Sequence, residues 1–411
     1  MMKMRWQVLA LIHLALFTYI WLQTTLTLHF TLRTQPYSAS FRRDEDFFDR
    51  LNATDAVDNA KAIGWLETIV KNYSMAVPFP DTENRSSSVC LALPTVPRKQ
   101  YSYVTKTVQS IYKFISEEER KMIFSILSIV HFQDQYHEEA VKLSPLFNVV
   151  TERTSLPANR LSKEDWLKNE KLDYATLLSL CLEHGDEYVL VLEDDVRATK
   201  HVAAKLSSVL ASVPSAEWCA IKLFYSEYHA GWGVEELPSL IGVSAAVGIS
   251  AAALLSLILR RPLRAAGITP SQLLAAAAAW AAFLSAMVAW ALVFVGRQNL
   301  VARGDVPLLR AVGFARLGPG FNRWTPSQTQ AVVFARACLP GLIRWLRADG
   351  QSPEVDLAMD RYLAGLAAPS YTHLPSLFQH AGYFSSLRYK NGERYAHQLA
   401  DFKTALTWRW D

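Results

Sequence analysis

The sequence predicts an α/β domain on a mostly parallel sheet, divided by a pair of membrane-crossing helices and preceded by a third. Three observations carry that expectation. In the stretch Tyr188 to Val196, a short apolar strand over Tyr188 to Leu192 stops abruptly at three consecutive acids, Glu193, Asp194 and Asp195. Around it, strand-like runs alternate with segments of helical periodicity, the pattern of a parallel sheet. Farther on, Leu237 to Leu259 and Leu273 to Val295 are uncharged and long enough to cross a bilayer.

Composition narrows the function classes. The 411 residues carry 42 basic against 38 acidic side chains, and a balance of +4 is too small to argue for nucleic acid. A hydrophobic share of 51% is high for a soluble protein, and its concentration in long runs points to a lipid bilayer. Trp6 to Phe30 contains no Asp, Glu, Lys or Arg. It is too long for a signal-peptide core and no small-residue cleavage site follows it, so 6–30 reads as a first span. Lys3 and Arg5 place residues 1–5 in the cytosol by the positive-inside rule, with Arg33, Arg42 and Arg43 weighing against them. Three glycosylation sequons, at Asn52, Asn72 and Asn84, fit a lumenal stem over 31–87. Cys90, Cys181, Cys219 and Cys338 suit two disulfides in an oxidising lumen, in any of three pairings; buried free thiols are the other reading.

The elements follow in order. One amphipathic helix is expected in the stem near Ala56 to Tyr73. Ser88 to Leu93 reads as a strand, ended by Pro94-Thr95-Val96-Pro97-Arg98, whose two prolines fix a stiff loop. Tyr101 to Ile115 is helical by Val104, Val108, Ile111 and Ile115; Met122 to Phe132 and Leu146 to Val150 are strands. Lys163 to Glu183 is helical by Trp166, Leu167, Tyr174, Leu177, Leu178 and Cys181, and Gly185 ends it. That helix feeds the acidic strand. Val202 to Val213 is a further helix and Trp218 to Tyr225 a further strand.

Between the two later spans lies Arg260-Arg261-Pro262-Leu263-Arg264, which places a loop over 260–272 in the cytosol. Residues 88–236 and 296–411 therefore fall on one side of the membrane, as two parts of one domain split by the spans 237–259 and 273–295. Gly242, Ala246 and Ser250, at four-residue spacing, are expected to let the spans pack closely. After the hairpin, Gln330 to Phe334 resumes as a strand and Cys338 to Leu346 as a helix.

Three adjacent carboxylates raise one another's pKa, and a divalent cation is the natural remedy. Ligands sit outside the carboxyl ends of strands in open α/β sheets, which is where these acids are placed. The bland reading is a solvated acidic turn. Asp356 and Asp360 share one face of a helix beginning near Pro353, with Asp356 favoured in the first turn by the helix dipole; a cap plus a surface acid is the alternative. His380 taken alone reads as a core or surface histidine.

The order of these blocks resembles a known family. Glu193-Asp194-Asp195 after an apolar strand resembles the Asp-x-Asp motif of GT-A glycosyltransferases. Leu172-Asp173-Tyr174-Ala175, Val355-Asp356-Leu357-Ala358-Met359-Asp360 and Leu377-Phe378-Gln379-His380-Ala381-Gly382, followed by Ser385-Ser386-Leu387, are similar to N-acetylglucosaminyltransferase IV enzymes. With the inserted hairpin, the chain resembles the post-GPI-attachment N-acetylgalactosamine transferase family, over about residues 88–236 and 320–390. The resemblance implies a GT-A fold in a multi-pass Golgi membrane enzyme with its catalytic domain in the lumen. It implies inverting, Mn²⁺-dependent transfer from UDP-GalNAc to the glycan of GPI-anchored proteins. Glu193, Asp195 and His380 are then expected to hold the metal; Thr95, Val96, Arg98, Asp173, Tyr174, Glu193 and Asp194 to line the donor; and Asp356, with Asp360 second, to act as base. Trp324, Thr325 and Gln328 are candidates for the acceptor, because aromatic faces bind sugars. Two alternatives stand: an N-acetylglucosaminyltransferase acting on N-glycans, and a multi-span scaffold whose acidic turn is inert.

Overall fold

A computed structural model describes residues 15–29, 57, 60–68, 89–97, 103–113, 115–116, 119, 123–131, 136–153, 162–225, 237–265, 267–296, 320–324, 329–348 and 354–380. The three sequons, Arg98, Thr325 and Gln328 lie outside the described residues. The chain forms two compact units: Met1–Asp44 with Glu227–Pro319, which holds the apolar helices, and Glu45–Ser226 with Gly320–Asp411, which holds the sheet.

Two helices, α1 (15–29) and α2 (60–68), precede the sheet. The sheet unit then runs β1 (Val89–Thr95), α3 (Val104–Tyr112), β2 (Ile123–His131), α4 (Glu138–Lys142), β3 (Asn148–Arg153), α5 (Lys163–His184), β4 (Tyr188–Leu192), β5 (Val196–Ala198), α6 (Val202–Ala211) and β6 (Ala220–Lys222). The hairpin helices are α7 (Leu237–Ala265) and α8 (Pro270–Val295). After them come β7 (Gly320–Arg323), β8 (Ala331–Ala335), α9 (Leu339–Ala348), α10 (Val355–Ala364), β9 (Tyr371–Leu374) and β10 (Phe378–His380).

Eight strands make one sheet in the order β3-β2-β1-β4-β8-β6-β9-β7, and β5 pairs with β10 apart from it. The half built before the hairpin is parallel, as expected. The remainder is mixed: β8 runs antiparallel to both β4 and β6, and β7 antiparallel to β9. The mostly parallel expectation therefore holds for β3, β2, β1, β4, β6 and β9, with β8 and β7 as the reversed strands; an apolar run records that a strand is buried and leaves its direction open. Tyr188↔Ala335 through Leu192↔Ala331, and Ala220↔Phe334, pair strands from either side of the hairpin. The interrupted segments are thus one domain.

Side chains alternate across the sheet and build a core on each face. Leu190 and Leu192 of β4 join Val108 and Ile111 of α3 and Leu206 of α6 on one face. Val189 and Val191 join Leu177 and Cys181 of α5, Leu342 of α9 and Met359 of α10 on the other. Each such side chain, fully buried, is worth about 1.5–3 kcal/mol. Both disulfides lie on this second face: Cys90–Cys181 ties β1 to α5, and Cys219–Cys338 ties the two segments flanking the hairpin. This selects one pairing of three and removes the free-thiol reading.

α5 shows why the chain arrives where it does. The Ser162 hydroxyl oxygen accepts from the Asp165 backbone N–H, Glu164 and Asp165 favour the first turn, and Gly185 ends the helix at φ 101°. Gly185 is left-handed, the conformation only glycine adopts cheaply, and it turns the chain straight into β4.

In the other unit, α7 and α8 are long and apolar enough to cross a membrane. They differ from expectation in two ways. α7 continues through Arg260, Arg261 and Pro262 to Ala265, and α8 already starts at Pro270, so the connection is much shorter than 260–272. A proline at the first helical position, with the Gln272 side chain accepting from the Thr269 N–H at 2.8 Å, sets that early start. The packing seam also differs. Gly242, Ala246 and Ser250 are exposed, whereas Ser244, Gly248 and Ala252 are buried. A Cβ on Gly248 would come within 2.5 Å of the Ser285 backbone nitrogen, so the close contact is there. Two stripes with four-residue spacing run along α7, and the sequence alone did not rank them. Of the expected first span 6–30, residues 15–29 are described; they form a helix whose Phe17 stacks on Phe283 at 4.3 Å and whose Trp21 meets Trp290 at 5.0 Å.

Candidate functional site

The sheet reverses its winding between β1 and β4: from β1 the chain proceeds outward to β2 and β3, then returns to β4 on the other side. Open α/β sheets bind ligands in the crevice outside the carboxyl ends at such a point. Thr95 and Val96 end one wall of this crevice and Glu193, Asp194 and Asp195 end the other.

The acidic turn is held by three contacts. The Glu193 N–H donates to the Gln330 carbonyl at 3.0 Å, and the Thr107 hydroxyl lies 2.7 Å from the carbonyl oxygens of both Asp194 and Val196. Thr95 donates its hydroxyl to the Asp194 carboxylate at 2.7 Å and lies 3.0 Å from His137 Nε2. Asp194 is therefore engaged beneath the turn, while Asp195 and Glu193 face elsewhere. His380 reaches them from a distant part of the chain. The Leu377 N–H donates to the Leu223 carbonyl at 2.8 Å, the Thr199 N–H to the Leu377 carbonyl at 2.9 Å, and His380 pairs with Val196 across β10 and β5.

His380 Nε2 lies 3.3 Å from Asp195 Oδ2, both side chains buried, and the Glu193, Asp195 and His380 ligand atoms all fall within 4.8 Å of one another. Burial first, and the Asp195 charge second, push the Glu193 carboxyl up to about 8, although Thr329 donates to it at 2.9 Å. Two carboxylates held together under these conditions favour a cation between them. Two oxygen donors and one imidazole form a donor set that suits Mn²⁺ and related divalent ions. The residues fit a metal.

Tyr174 connects this cluster to α10. It is buried on α5, and its phenol is pushed well above the ordinary range by burial first, then by the Glu193 charge, with Asp356 adding to it. Asp356 stands in the first turn of α10, where its Oδ1 accepts from the Leu357 N–H at 2.8 Å. One helical turn on, Asp360 Oδ1 accepts from Trp324 Nε1–H at 2.8 Å, and Lys222 Nζ lies 4.5 Å from the centroid of the Trp324 ring. Burial lowers the Lys222 ammonium to about 8, with Asp360 and Asp356 opposing that fall.

The structure thus gathers Glu193, Asp195 and His380 in one cluster, and Asp356, Asp360 and Trp324 in another, with Tyr174 between them. Thr95 and Asp194 bond to each other; Val96 is partly buried at the end of β1; Asp173 is partly buried beside Tyr174 on α5. Sequence reasoning missed Lys222, Thr329, Thr107 and His137. A lysine in the middle of the apolar run Trp218 to Tyr225 was the one readable signal, at Lys222. The other three are ordinary polar residues whose partners lie 42 to 136 positions away.

An acid-tipped strand at the switch point of an α/β sheet, with a metal-suited triad and an acid-and-aromatic cluster alongside, is the layout of a glycosyltransferase. Comparison with known proteins agrees with that class. The chain belongs to the family described as "GPI-N-acetylgalactosamine transferase PGAP4", whose model matches residues 89–379. Among curated relatives, Alpha-1,3-mannosyl-glycoprotein 4-beta-N-acetylglucosaminyltransferase C of Macaca fascicularis is 26% identical over 174 residues, 38% of this chain and 35% of the relative. The B enzyme of Danio rerio is 24% identical over 158 residues, 33% of this chain and 28% of the relative. The chain spans about a third of the length of these relatives, 35% for the first. Among solved structures, S. aureus TarS in complex with UDP-GlcNAc overlaps 36% of each chain at 16% identity and TM-score 0.24. The mannosyltransferase PcManGT of Pyrobaculum calidifontis overlaps 42% of this chain and 47% of its own at 13% identity and TM-score 0.22.

Proposed function

We propose that this chain is a Golgi membrane enzyme with a GT-A catalytic domain in the lumen, transferring N-acetylgalactosamine from UDP-GalNAc to the glycan of GPI-anchored proteins with inversion. The observation that carries this reading is the cluster of Glu193, partly buried, with buried Asp195 and His380, gathered beyond the carboxyl end of β4 and within the 89–379 family match. In this reading Asp195, Glu193 and His380 hold Mn²⁺, which when bound neutralises charge growing on the departing diphosphate. Val96, Arg98, Asp173 and Tyr174 line the donor, and the Thr95–Asp194 bond braces that wall from beneath.

The acceptor hydroxyl oxygen attacks C1 of the sugar, its proton passes to the Asp356 carboxylate, and the C1–O bond to UDP breaks with its electron pair leaving on the phosphate oxygen. Attack opposite the leaving group inverts the anomeric centre. In this reading Asp356 is the base, and Asp360, which accepts from Trp324 Nε1–H, holds the Trp324 ring. That ring, with Thr325 and Gln328, receives the acceptor sugar.

Transfer of labelled sugar to a GPI-anchored reporter by the detergent-purified chain tests this function. UDP-GalNAc is expected to label the reporter and UDP-GlcNAc to compete weakly. Preferential labelling from UDP-GlcNAc, or of N-glycans, would move the protein to the activity that its curated relatives' names carry.

A further inference from the structure

α9 and α10 pack on the same face of the sheet, and Trp345 of α9 joins them by donating its Nε1–H to the Ala358 carbonyl of α10 at 2.8 Å. The Trp345 ring lies 6.1 Å from that of Tyr362, yet 37% of the residue stays exposed, as does 42% of Leu357. Successive residues of α10 are turned by about 100°. The buried arc of Ala358, Met359 and Leu363 is therefore followed by Asp356 and Asp360, and these by exposed Leu357 and Arg361. Trp345 and Tyr362 close the far side of this exposed strip, opposite the two acids. The strip carries charge of one sign: Arg344, Arg347 and Arg361 are exposed, and α9 and α10 expose no acid among their described residues. Arg347 donates to the Ser179 hydroxyl at 2.9 Å, whereas among the described residues the guanidinium groups of Arg344 and Arg361 form no hydrogen bond and no ion pair. Both stand close to Tyr362: Arg361 precedes it, and the Arg344 charge opposes the rise that burial causes in its phenol. A single exposed Leu or Arg is ordinary, but a tryptophan fixed by its own hydrogen bond beside two uncommitted guanidinium groups is the composition of a recognition surface.

We propose that this strip docks an anionic acceptor: Arg344 and Arg361 hold a phosphate group of the acceptor glycan beside the exposed face of Trp345. The proposal rests on the reading that the acceptor is the glycan of a GPI anchor, a glycolipid that bears phosphodiester groups, and it adds which part of that acceptor is recognised away from the reacting hydroxyl. A guanidinium presents a planar fork of N–H donors that matches two phosphate oxygens and keeps its charge at every physiological pH. Trp345 adds a rigid apolar face on which a sugar ring packs, with Leu357 extending it. Because Asp356 and Asp360 border the strip on one edge and the Trp345–Tyr362 pair on the other, a glycan held by its phosphate at the arginines lies with its remaining sugars directed toward Asp356. The strip also discriminates. A glycan without phosphate keeps the Trp345 contact and loses the charged one, so the surface favours a phosphate-bearing acceptor over a neutral N-glycan.

The test uses the full chain purified in detergent and two water-soluble acceptors, a GPI glycan that retains its phosphate and the same glycan with the phosphate removed. Wild type is compared with the double variant Arg344→Glu, Arg361→Glu. Both positions are exposed, so the fold should survive the charge reversal, and the thermal midpoint checks that it does. For the phosphate-bearing glycan the double variant is expected to raise the acceptor KM roughly 10-fold or more while kcat stays near wild type, the signature of lost binding that is equal in ground and transition states. For the phosphate-free glycan its KM is expected to match that of wild type. UDP release without acceptor is expected to be unchanged, because the strip lies outside the donor crevice. Added salt should raise the wild-type KM for the phosphate-bearing glycan and leave that of the double variant nearly constant, since exposed charges are screened. An unchanged KM for the phosphate-bearing glycan, or an equal rise for both glycans, overturns the phosphate site and leaves the proposed function standing. Transfer by wild type to neither glycan overturns the proposed function and this surface with it.

Discussion

Replacing both cysteines of the Cys219–Cys338 bridge by alanine probes how the two halves of the catalytic domain are held together. Alanine is the appropriate replacement, because Cys219 is 0% and Cys338 9% exposed and a serine hydroxyl there would add an unpaired buried group. A sequence separation of 119 gives about 5 kcal/mol of unfolded-state entropy in the chain-closure picture. The loop, however, contains α7 and α8. If these stay paired in detergent or lipid when the sheet unfolds, the free loop is roughly halved, which removes about 0.6 kcal/mol. The net is about 4 kcal/mol, or a fall in the thermal midpoint of roughly 8–16 °C for a domain of this size. The consequence reaches the site, since β8 follows Gln330, whose carbonyl receives the Glu193 N–H. Activity is expected to be lost along the same shifted melting curve. Circular dichroism and UDP release, both against temperature, provide the assay. A midpoint within about 3 °C of wild type would refute the argument that this bridge closes a long loop, and thiol alkylation of the unreduced, denatured protein would refute the bridge itself.

Four further outcomes are expected. Thr95→Val removes a donor from the buried Asp194 carboxylate and should cost about 1–3 kcal/mol in urea unfolding while metal affinity stays near wild type; an unchanged midpoint contradicts the bracing role. Asp356→Asn should reduce transfer by on the order of 10²-fold while UDP still protects the protein from heat, and near-normal turnover would remove the base from this position. Gly248→Leu should weaken association of α7 with α8, read by cysteine cross-linking between them, whereas Gly242→Leu should not, because among the described residues nothing lies within 4 Å of a Cβ placed on Gly242. The folded protein releases the Lys222 proton near 8 and the unfolded chain near 10.5, so between those values the unfolded state binds more protons and stability should rise with pH; the rise should be absent in Lys222→Met.

Much of the fold was legible because it is written in local chemistry. Ser162 and Gly185 bound α5, a run of five apolar residues gives β4, and two long uncharged segments give the hairpin. What stayed illegible depends on direction and facing. β8 reads equally well as a parallel or an antiparallel strand, and only its pairing with β4 and β6 decides. α7 carries two stripes of small residues, and the partner helix alone selects Ser244, Gly248 and Ala252. At the site, three adjacent acids announce a cation, yet their alternating directions separate Asp194, which turns to Thr95, from Glu193 and Asp195, which meet His380. Lys222 interrupts the apolar run Trp218 to Tyr225, and its burial, with the ammonium 4.5 Å from the Trp324 ring centroid, depends on a residue about a hundred positions away.

The most direct measurement is UDP release from UDP-GalNAc by the detergent-purified protein, with Mn²⁺ and with chelator, beside Asp195→Ala. Release is expected to require the metal and to disappear in the variant. Metal-independent release, or release that survives in Asp195→Ala, would contradict the assignment of the triad; no release from any UDP-sugar by folded protein would contradict the enzyme itself.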